Sequence, residues 1–361
     1  MRVCSICLDG FRNYTNFSAS FDPGVNVIWG ENAQGKTNLL EAIGFLSGAR
    51  SHRARGDREL ISFQRDQGTI TAQVDSRDRT FLIEAQLARG RRRKLLVNHV
   101  KLKTAAEQTV LFCPEDLALI KSGAAERRAF LDHAICQLRP RYGEALAQYH
   151  KLLDHKTRIL RDWEKNPSLL EVLEDFNEAM ALLIHYRAHF VGKLAPRAAQ
   201  IQRDFSGDRE ELTLSYQTVG TVRDPLGPTV SIYEDLRAHQ DSHRRAELEA
   251  RSCLSGPHKD DLAAWIDGQP ARQFASQGQT RTAALSLKLA ERELFEDDTG
   301  QWPVLLLDDV LSELDARRQD FVLDRITGGQ VFITSCEAPA GEISRGKILH
   351  IHQGALVDSP N

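Results

Sequence analysis

The spacing of hydrophobic residues changes character along the chain. Through the first third it alternates or falls in short runs, at residues 3–8, 16–21, 24–29, 69–75, 79–87, 94–98 and 109–113, with turn residues between most of them. That pattern predicts strands. From Glu126-Arg127-Arg128-Ala129-Phe130-Leu131-Asp132 the period becomes helical, and Pro140 marks a break before a longer helix. There Leu146, Tyr149, Leu153, Leu160 and Trp163 keep heptad spacing. Asn166-Pro167 interrupts it, and Ser168 with Glu171 makes a capping box for a second helix. This helix carries Leu169, Leu173, Phe176, Met180, Leu183, Phe190 and Leu194. Two apolar seams across a short turn predict an antiparallel helical hairpin, an arm of about 25 residues per helix and so roughly 40 Å long. Pro196 is expected to kink or end the second helix. A strand at 211–216, a Gly/Pro loop at 220–228 and a charged amphipathic helix over 230–250 follow. Another amphipathic helix begins near Ser276, and Pro303-Val304-Leu305-Leu306-Leu307 reads as a strand buried on both faces of a parallel sheet.

The chain has 361 residues, 41% hydrophobic and 27% charged, which suits a globular protein of two or three lobes. Net charge is −3, so it is no general polycation, and nucleic-acid contact would have to come from local patches. No run is long and apolar enough for a bilayer, and Met1-Arg2-Val3-Cys4 opens no secretory leader, so a cytoplasmic location and no membrane partner are expected. Six scattered cysteines fit a reducing compartment. Cys4 and Cys7, in a strand-like stretch, are expected to be core thiols rather than metal ligands.

The strongest chemical signal is Gly30-Glu31-Asn32-Ala33-Gln34-Gly35-Lys36-Thr37, set between a strand and a helix. Its glycines let successive N–H groups turn toward phosphate oxygens, and the helix start adds its positive end. Lys36 would reach the β- and γ-phosphates of ATP, and the Thr37 hydroxyl would ligate Mg²⁺. Arg12 would lie against the nucleotide or form a surface ion pair. Asp308-Asp309 closes the apolar strand near the other end of the chain. Asp308 would hold the metal through water, and Asp309 would orient or deprotonate the attacking water. A nucleotide site built from both ends of the sequence requires the helical arm to be inserted between them. The expected division is a head of residues 1–122 and 251–361 with an arm of 123–250. Ser276-Gln277-Gly278-Gln279 at a helix start is either an anion site or a plain N-cap. Two basic stretches, with Arg53 and Arg55 in one and Arg91, Arg92, Arg93 and Lys94 in the other, are solvated turns or a surface that tracks DNA phosphates. Few aromatic residues interleave with them, which points to backbone contact without base readout.

Together these blocks resemble the ATP-binding-cassette heads of the SMC-like DNA-repair ATPases, and within them the RecF-type recombination mediators. The resemblance also rests on Gly10-Phe11-Arg12-Asn13-Tyr14, Pro114-Glu115-Asp116-Leu117, Gly256-Pro257-His258-Lys259-Asp260-Asp261-Leu262 and Ser312-Glu313-Leu314-Asp315. It implies an α/β ABC-type P-loop head, a mixed sheet with an antiparallel β lobe, bearing an inserted helical arm. It implies that Ser276, Gln277, Gly278 and Gln279 are the signature motif acting on ATP held by a second copy. Ser312, Glu313, Leu314 and Asp315 would be the dimer-contact loop, and Glu115 would stand near a magnesium-sensing position. An ATP-dependent homodimer on DNA gaps or junctions is implied, with RecR- and RecO-type partners and, indirectly, a RecA-type recombinase, near the nucleoid. Two departures, Asp309 where most such heads have Glu and a strand at 331–335 that ends without the switch His, imply slow turnover. The nearest rival reading, a chromosome-organising SMC or double-strand-break ATPase, would call for a far longer arm. A transporter subunit, or a scaffold that uses ATP only structurally, are the other readings.

Overall fold

In the first strand, β1 (Arg2–Phe11), Val3, Ile6, Leu8 and Phe11 are buried while Cys7 and Asp9 face outward. A register shift between Val3 and Ser5 moves the buried face by one position. It leaves Cys4 half-buried and Cys7 exposed, with Cys7 Sγ 3.4 Å from Ser18 Oγ, so the expectation of two core thiols is corrected by the bulge.

The computed structural model describes residues 1–47, 51, 53–54, 56–76, 79–101, 109–165, 174–338 and 346–357. The expected arm turn at Asn166-Pro167, with Ser168, Leu169, Glu171 and Leu173, lies outside them, as does Arg55. The chain divides into two units: Met1–Leu117 with Lys288–Asn361, and Ala118–Leu287.

The first unit opens with β1, β2 (Tyr14–Ser20), β3 (Val25–Trp29), helix α1 (Lys36–Phe45), β4 (Gln67–Ser76), β5 (Arg79–Ala88), β6 (Lys94–Val97), β7 (Val100–Lys101) and β8 (Thr109–Phe112). Six of these form an antiparallel sheet in the order β2-β1-β4-β5-β6-β7.

In the second unit come α2 (Ala124–Leu138), α3 (Pro140–Arg161), α4 (Glu174–Ser206), β9 (Leu212–Gln217), α5 (Thr229–Ala250), β10 (Asp261–Ile266), β11 (Gln269–Pro270) and α6 (Ala271–Phe274). Tyr142 meets Tyr186 at 5.8 Å between ring centroids and Tyr149 meets Phe176 at 5.3 Å, so α3 and α4 pair in opposite chain sense. Helix α4 continues through Pro196, so the proline does not end it. The lost backbone bond is outweighed because Leu194, Ala198 and Ile201 are buried on both sides of it, each large side chain worth roughly 1.5–3 kcal/mol. Arg187 of α4 is buried between Asp132 of α2, at 2.8 Å, and Asp260, at 3.1 Å, and its Nε donates to the Tyr142 hydroxyl.

Helix α7 (Gln277–Thr299) returns the chain to the first unit, followed by β12 (Val304–Leu307), α8 (Ala316–Arg325), β13 (Val331–Ser335), β14 (Lys347–His352) and β15 (Ala355–Val357). The boundary falls at Leu287/Lys288 and not at the expected 250/251. The reason is non-local: β10 pairs with β9 along its whole length, Asp261 opposite Gln217 through Ile266 opposite Leu212, which ties residues 261–266 to the helical unit. A second six-stranded sheet, ordered β15-β14-β3-β13-β12-β8, is parallel except for β15. It brings strands from both ends of the chain side by side. Val304–Leu307 is buried at every position, as expected for a strand covered on both faces. Leu39, Leu40, Ala42, Ile43 and Phe45 of α1 share one core with residues of both sheets. Among the described residues no helix is long and apolar enough to cross a membrane.

Candidate active site

In the parallel sheet Ser335 pairs with Trp29, Leu307 with Ile333 and Leu307 with Phe112. The carboxyl ends of β3, β13, β12 and β8 therefore open at one edge, where α/β sheets hold ligands. Gly30 begins the loop there with φ +154°, and a Cβ on it would fall 2.3 Å from the Ile351 carbonyl oxygen. Gly35, at φ +119°, is the N-cap of α1, and a Cβ would meet Asn13 Nδ2 at 2.7 Å. Only glycine fits either place. The loop is braced from outside. Asn13 Nδ2 and the Gly354 N–H both donate to the Gln34 carbonyl at 3.0 Å, and the Tyr14 hydroxyl donates to the Gly35 carbonyl at 2.9 Å. Burial raises the Tyr14 hydroxyl pKa, keeping it a donor. Glu31, Asn32 and Ala33 stay exposed on the open side.

The Lys36 ammonium is buried, donating to the carbonyls of Gly30 at 2.8 Å and Glu31 at 3.0 Å. One residue further, Thr37 Oγ1 donates to Asp308 Oδ1 at 2.9 Å, joining residues 271 apart in sequence. Asp308 also accepts from Thr334 Oγ1 at 3.0 Å, and its N–H donates to the Phe112 carbonyl. The same Thr334 oxygen accepts the Asp309 N–H at 2.7 Å. Asp309 adopts φ +51°, a left-handed conformation that Asp tolerates better than most side chains. Cys336 follows β13 where the sequence showed no switch His. Its thiol donates to Asn32 Oδ1 at 2.9 Å and lies 3.5 Å from Lys36 Nζ and 3.8 Å from Asp309 Oδ1. Neither Thr334 nor Cys336 carries a local sequence signal, because both reach this edge through the pairing of β13 with β12 and β3.

Arg12 forms an ion pair with a buried partner. Its guanidinium meets both oxygens of the buried Glu41 on α1, at 2.8 and 2.7 Å, and donates to the Glu59 carbonyl at 2.9 Å. The arrangement anchors the flank of the P-loop helix. Glu115 is exposed just past β8, the strand beside β12. In the loop after β12, Ser312, Glu313 and Asp315 are exposed, whereas Leu314 is buried and anchors the loop, so it is not a surface contact. Asp315 caps α8 by accepting the Arg318 N–H.

In the second unit, Ser276 and Gln279 form a reciprocal capping box on α7. Gln279 N–H donates to Ser276 Oγ at 3.2 Å and Ser276 N–H to Gln279 Oε1 at 2.9 Å. Gln277 is exposed and Gly278 half-buried. Of the basic candidates, Arg53 is exposed and donates to Asn38 Oδ1 on α1 at 3.1 Å. Arg93 pairs with Asp57 at 2.9 Å and lies over the Phe45 ring at 5.1 Å, so it is a packing residue and not an open cation. Arg91, Arg92 and Lys94 are exposed.

A glycine cradle, a buried lysine, and a hydroxyl sharing a hydrogen with a carboxylate make a donor set that fits a triphosphate with a hard divalent cation. The family model described as "RecF/RecN/SMC N terminal domain" matches residues 2–349. The chain is 39% identical over 348 residues to the DNA replication and repair protein RecF of Listeria innocua serovar 6a, covering 93% of each. It is 37% identical to the protein of that name from Bacillus subtilis strain 168, covering 99% of this chain and 100% of the relative. A solved structure of the recombination mediator protein RecF with ATP, from the RecFOR pathway, superposes with a TM-score of 0.90 at 35% identity, covering 98% of this chain and 96% of that one. The Smc head domain of Pyrococcus furiosus shares the fold alone, with a TM-score of 0.54 at 15% identity, covering 98% of this chain and 94% of that one.

Proposed function

Because this chain belongs to the RecF family and has the SMC-like ABC ATPase head of that family, we propose that it is an ATP-switched DNA clamp of replication and repair. The observation that carries the reading is the Thr37–Asp308 hydrogen bond, which unites the P-loop with the far end of the sequence at one sheet edge. The backbone from Gly30 to Thr37 cradles the triphosphate, and Lys36 turns its ammonium from loop carbonyls to phosphate oxygens. Thr37 and Asp308 would hold Mg²⁺, with Glu115 a candidate for sensing it, and the metal would supply neutralisation of phosphate charge. Asp309 orients the attacking water and takes its proton. Its carboxylate is one methylene shorter than the glutamate usual in such heads, and positioning supplies most of phosphoryl-transfer catalysis, so ATP hydrolysis is slow.

Ser276, Gln277, Gly278 and Gln279 close on the nucleotide of a second copy, the Ser276 hydroxyl donating to the γ-phosphate while its oxygen accepts the Gln279 N–H. Exposed Ser312, Glu313 and Asp315 meet that copy. ATP then holds a two-fold head-to-tail dimer, and hydrolysis releases it. The dimer retains DNA at single-strand gaps or junctions and assists RecO- and RecR-type partners in loading a RecA-type recombinase. The relatives' names as repair proteins and as a mediator of the RecFOR pathway support this assignment. DNA retention measured with ATP, ADP and a non-hydrolysable analogue, beside sedimentation of the same samples, tests it. Retention and dimerisation should rise together with ATP and the analogue and fall with ADP. Retention indifferent to the nucleotide would refute the clamp.

A further inference from the structure

Phe63 is completely exposed. A lone surface phenylalanine means little by itself; its mounting is what matters. Phe63 and Gln64 form the tip of a turn closed by the Arg65 N–H donating to the Ser62 carbonyl at 3.0 Å. The Arg89 side chain clasps both ends of that turn, donating from Nε to the Arg65 carbonyl at 3.1 Å and from Nη2 to the Ser62 carbonyl at 3.4 Å. The Ser62 N–H is in turn bonded to the Gly10 carbonyl at 2.9 Å, at the end of β1. The ring therefore stands on a fixed pedestal beside the β5–β6 turn, Arg89-Gly90-Arg91-Arg92-Arg93-Lys94. Three cations of this region are neutralised: Arg65 by Asp9 at 3.4 Å, Arg89 by Asp66 at 3.8 Å and Arg93 by Asp57 at 2.9 Å. Arg91, Arg92 and Lys94 are exposed and have no ion pair among the described residues. At the turn tip, Gly90 has open space around it.

An open π-face beside cations with no ion pair among the described residues is the chemistry that takes single-stranded nucleic acid, cations on phosphates and the ring against a base. A continuous duplex offers no free base face, whereas a gap or frayed end does. Gln64, Arg65 and Asp66 beside the ring are polar and exposed, so the spot lacks the apolar breadth of a protein interface core. We propose that this corner of the β lobe is a site for one unpaired nucleobase, stacked on Phe63, with the flanking phosphates on Arg91, Arg92 and Lys94. The proposal rests on the DNA-binding reading above and gives it a residue that distinguishes gapped from continuous duplex.

The test uses the full chain with ATP and two probes of one sequence, a continuous duplex and a gapped duplex with 2-aminopurine in the gap. Because the ring is fully exposed, Phe63→Ala leaves folding intact. It should weaken gapped-duplex binding roughly ten-fold or more, abolish the fluorescence change of 2-aminopurine and leave continuous-duplex binding unaltered. Phe63→Trp should restore all three. Wild-type gap binding by Phe63→Ala, or equal loss on both probes, would overturn the proposal. So would loss confined to the binding of a protein mediator. Arg91→Ala with Arg92→Ala should weaken both probes and reduce the salt slope by about 2. An unchanged slope would show that this turn does not meet DNA phosphates, overturning this site together with the expectation that the basic stretch tracks DNA. A negative Phe63→Ala result with a reduced slope would overturn the base site alone.

Discussion

Replacing Thr334 with Val changes one buried oxygen into a methyl group at nearly constant volume. The hydroxyl that disappears touches both Asp308 and Asp309, donating to Asp308 Oδ1 at 3.0 Å and accepting the Asp309 backbone N–H at 2.7 Å, and the residue is only 3% exposed. Losing a hydrogen bond to a charged group costs about 1.5–3 kcal/mol, and leaving an amide unpaired about 1–3 kcal/mol more. Burying the new methyl returns about 0.8 kcal/mol. A net loss of about 2–5 kcal/mol is expected, which is a urea midpoint shift on the order of 1 M. The measurement is urea unfolding without nucleotide in EDTA, followed by single-turnover ATP cleavage on the folded variant. Turnover should fall by about 100-fold, since Asp309 sits in a left-handed conformation held in part by the bond that is removed. Thr334→Ser keeps the oxygen and should retain most of both quantities. If Thr334→Val unfolds within about 0.5 kcal/mol of the wild type and cleaves ATP normally, the argument that Thr334 sets the two carboxylates is refuted.

Lys36→Met should abolish ATP binding, and the rise in melting temperature that ATP gives the wild type should disappear with it, read by differential scanning fluorimetry. Ser276→Arg should bind ATP normally yet remain monomeric in sedimentation with ATP; a variant that still dimerised would refute the trans signature. Arg187→Ala should destabilise the second unit by about 3–5 kcal/mol, because Asp132 and the buried Asp260 lose their cation, and calorimetry would register it. Burial holds His239 below its ordinary value of 6.5, with its neighbour His243 adding to the effect, and burial holds His258 down as well. The unfolded chain therefore binds more protons than the folded one as pH falls below about 6.5, and stability falls with pH in that window. His239→Gln should flatten the slope, measured as the melting midpoint between pH 7.5 and 5.5.

What the sequence disclosed follows from how local each constraint is. The P-loop was legible because two backbone positions exclude every residue but glycine, and because Lys36 and Thr37 must follow at fixed offsets. Asp308 was legible because the four residues before it are buried at every position, a pattern that few elements other than a central parallel strand need. Residues whose roles arise from pairing across the chain were not. Thr334 faces Asp308 only because β13 lies between β3 and β12, and Tyr14 caps the Gly35 carbonyl from 21 positions away. Arg93 looked like its neighbours until Asp57 and Phe45 came to it in space. Phe63 carries no sequence signal relating it to the basic turn; Arg89 makes that link in three dimensions. The boundary near residue 287 followed the β9–β10 pairing, which neither strand announces alone.

The central claim is that Thr37 and Asp308 together hold the metal of a bound metal-nucleotide. Its most direct test is ATP affinity of Asp308→Asn measured by calorimetry with and without Mg²⁺. The variant should bind ATP as the wild type does in EDTA and lose the increment in affinity that Mg²⁺ gives the wild type. An Asp308→Asn protein that keeps the full magnesium-dependent increment would contradict the account.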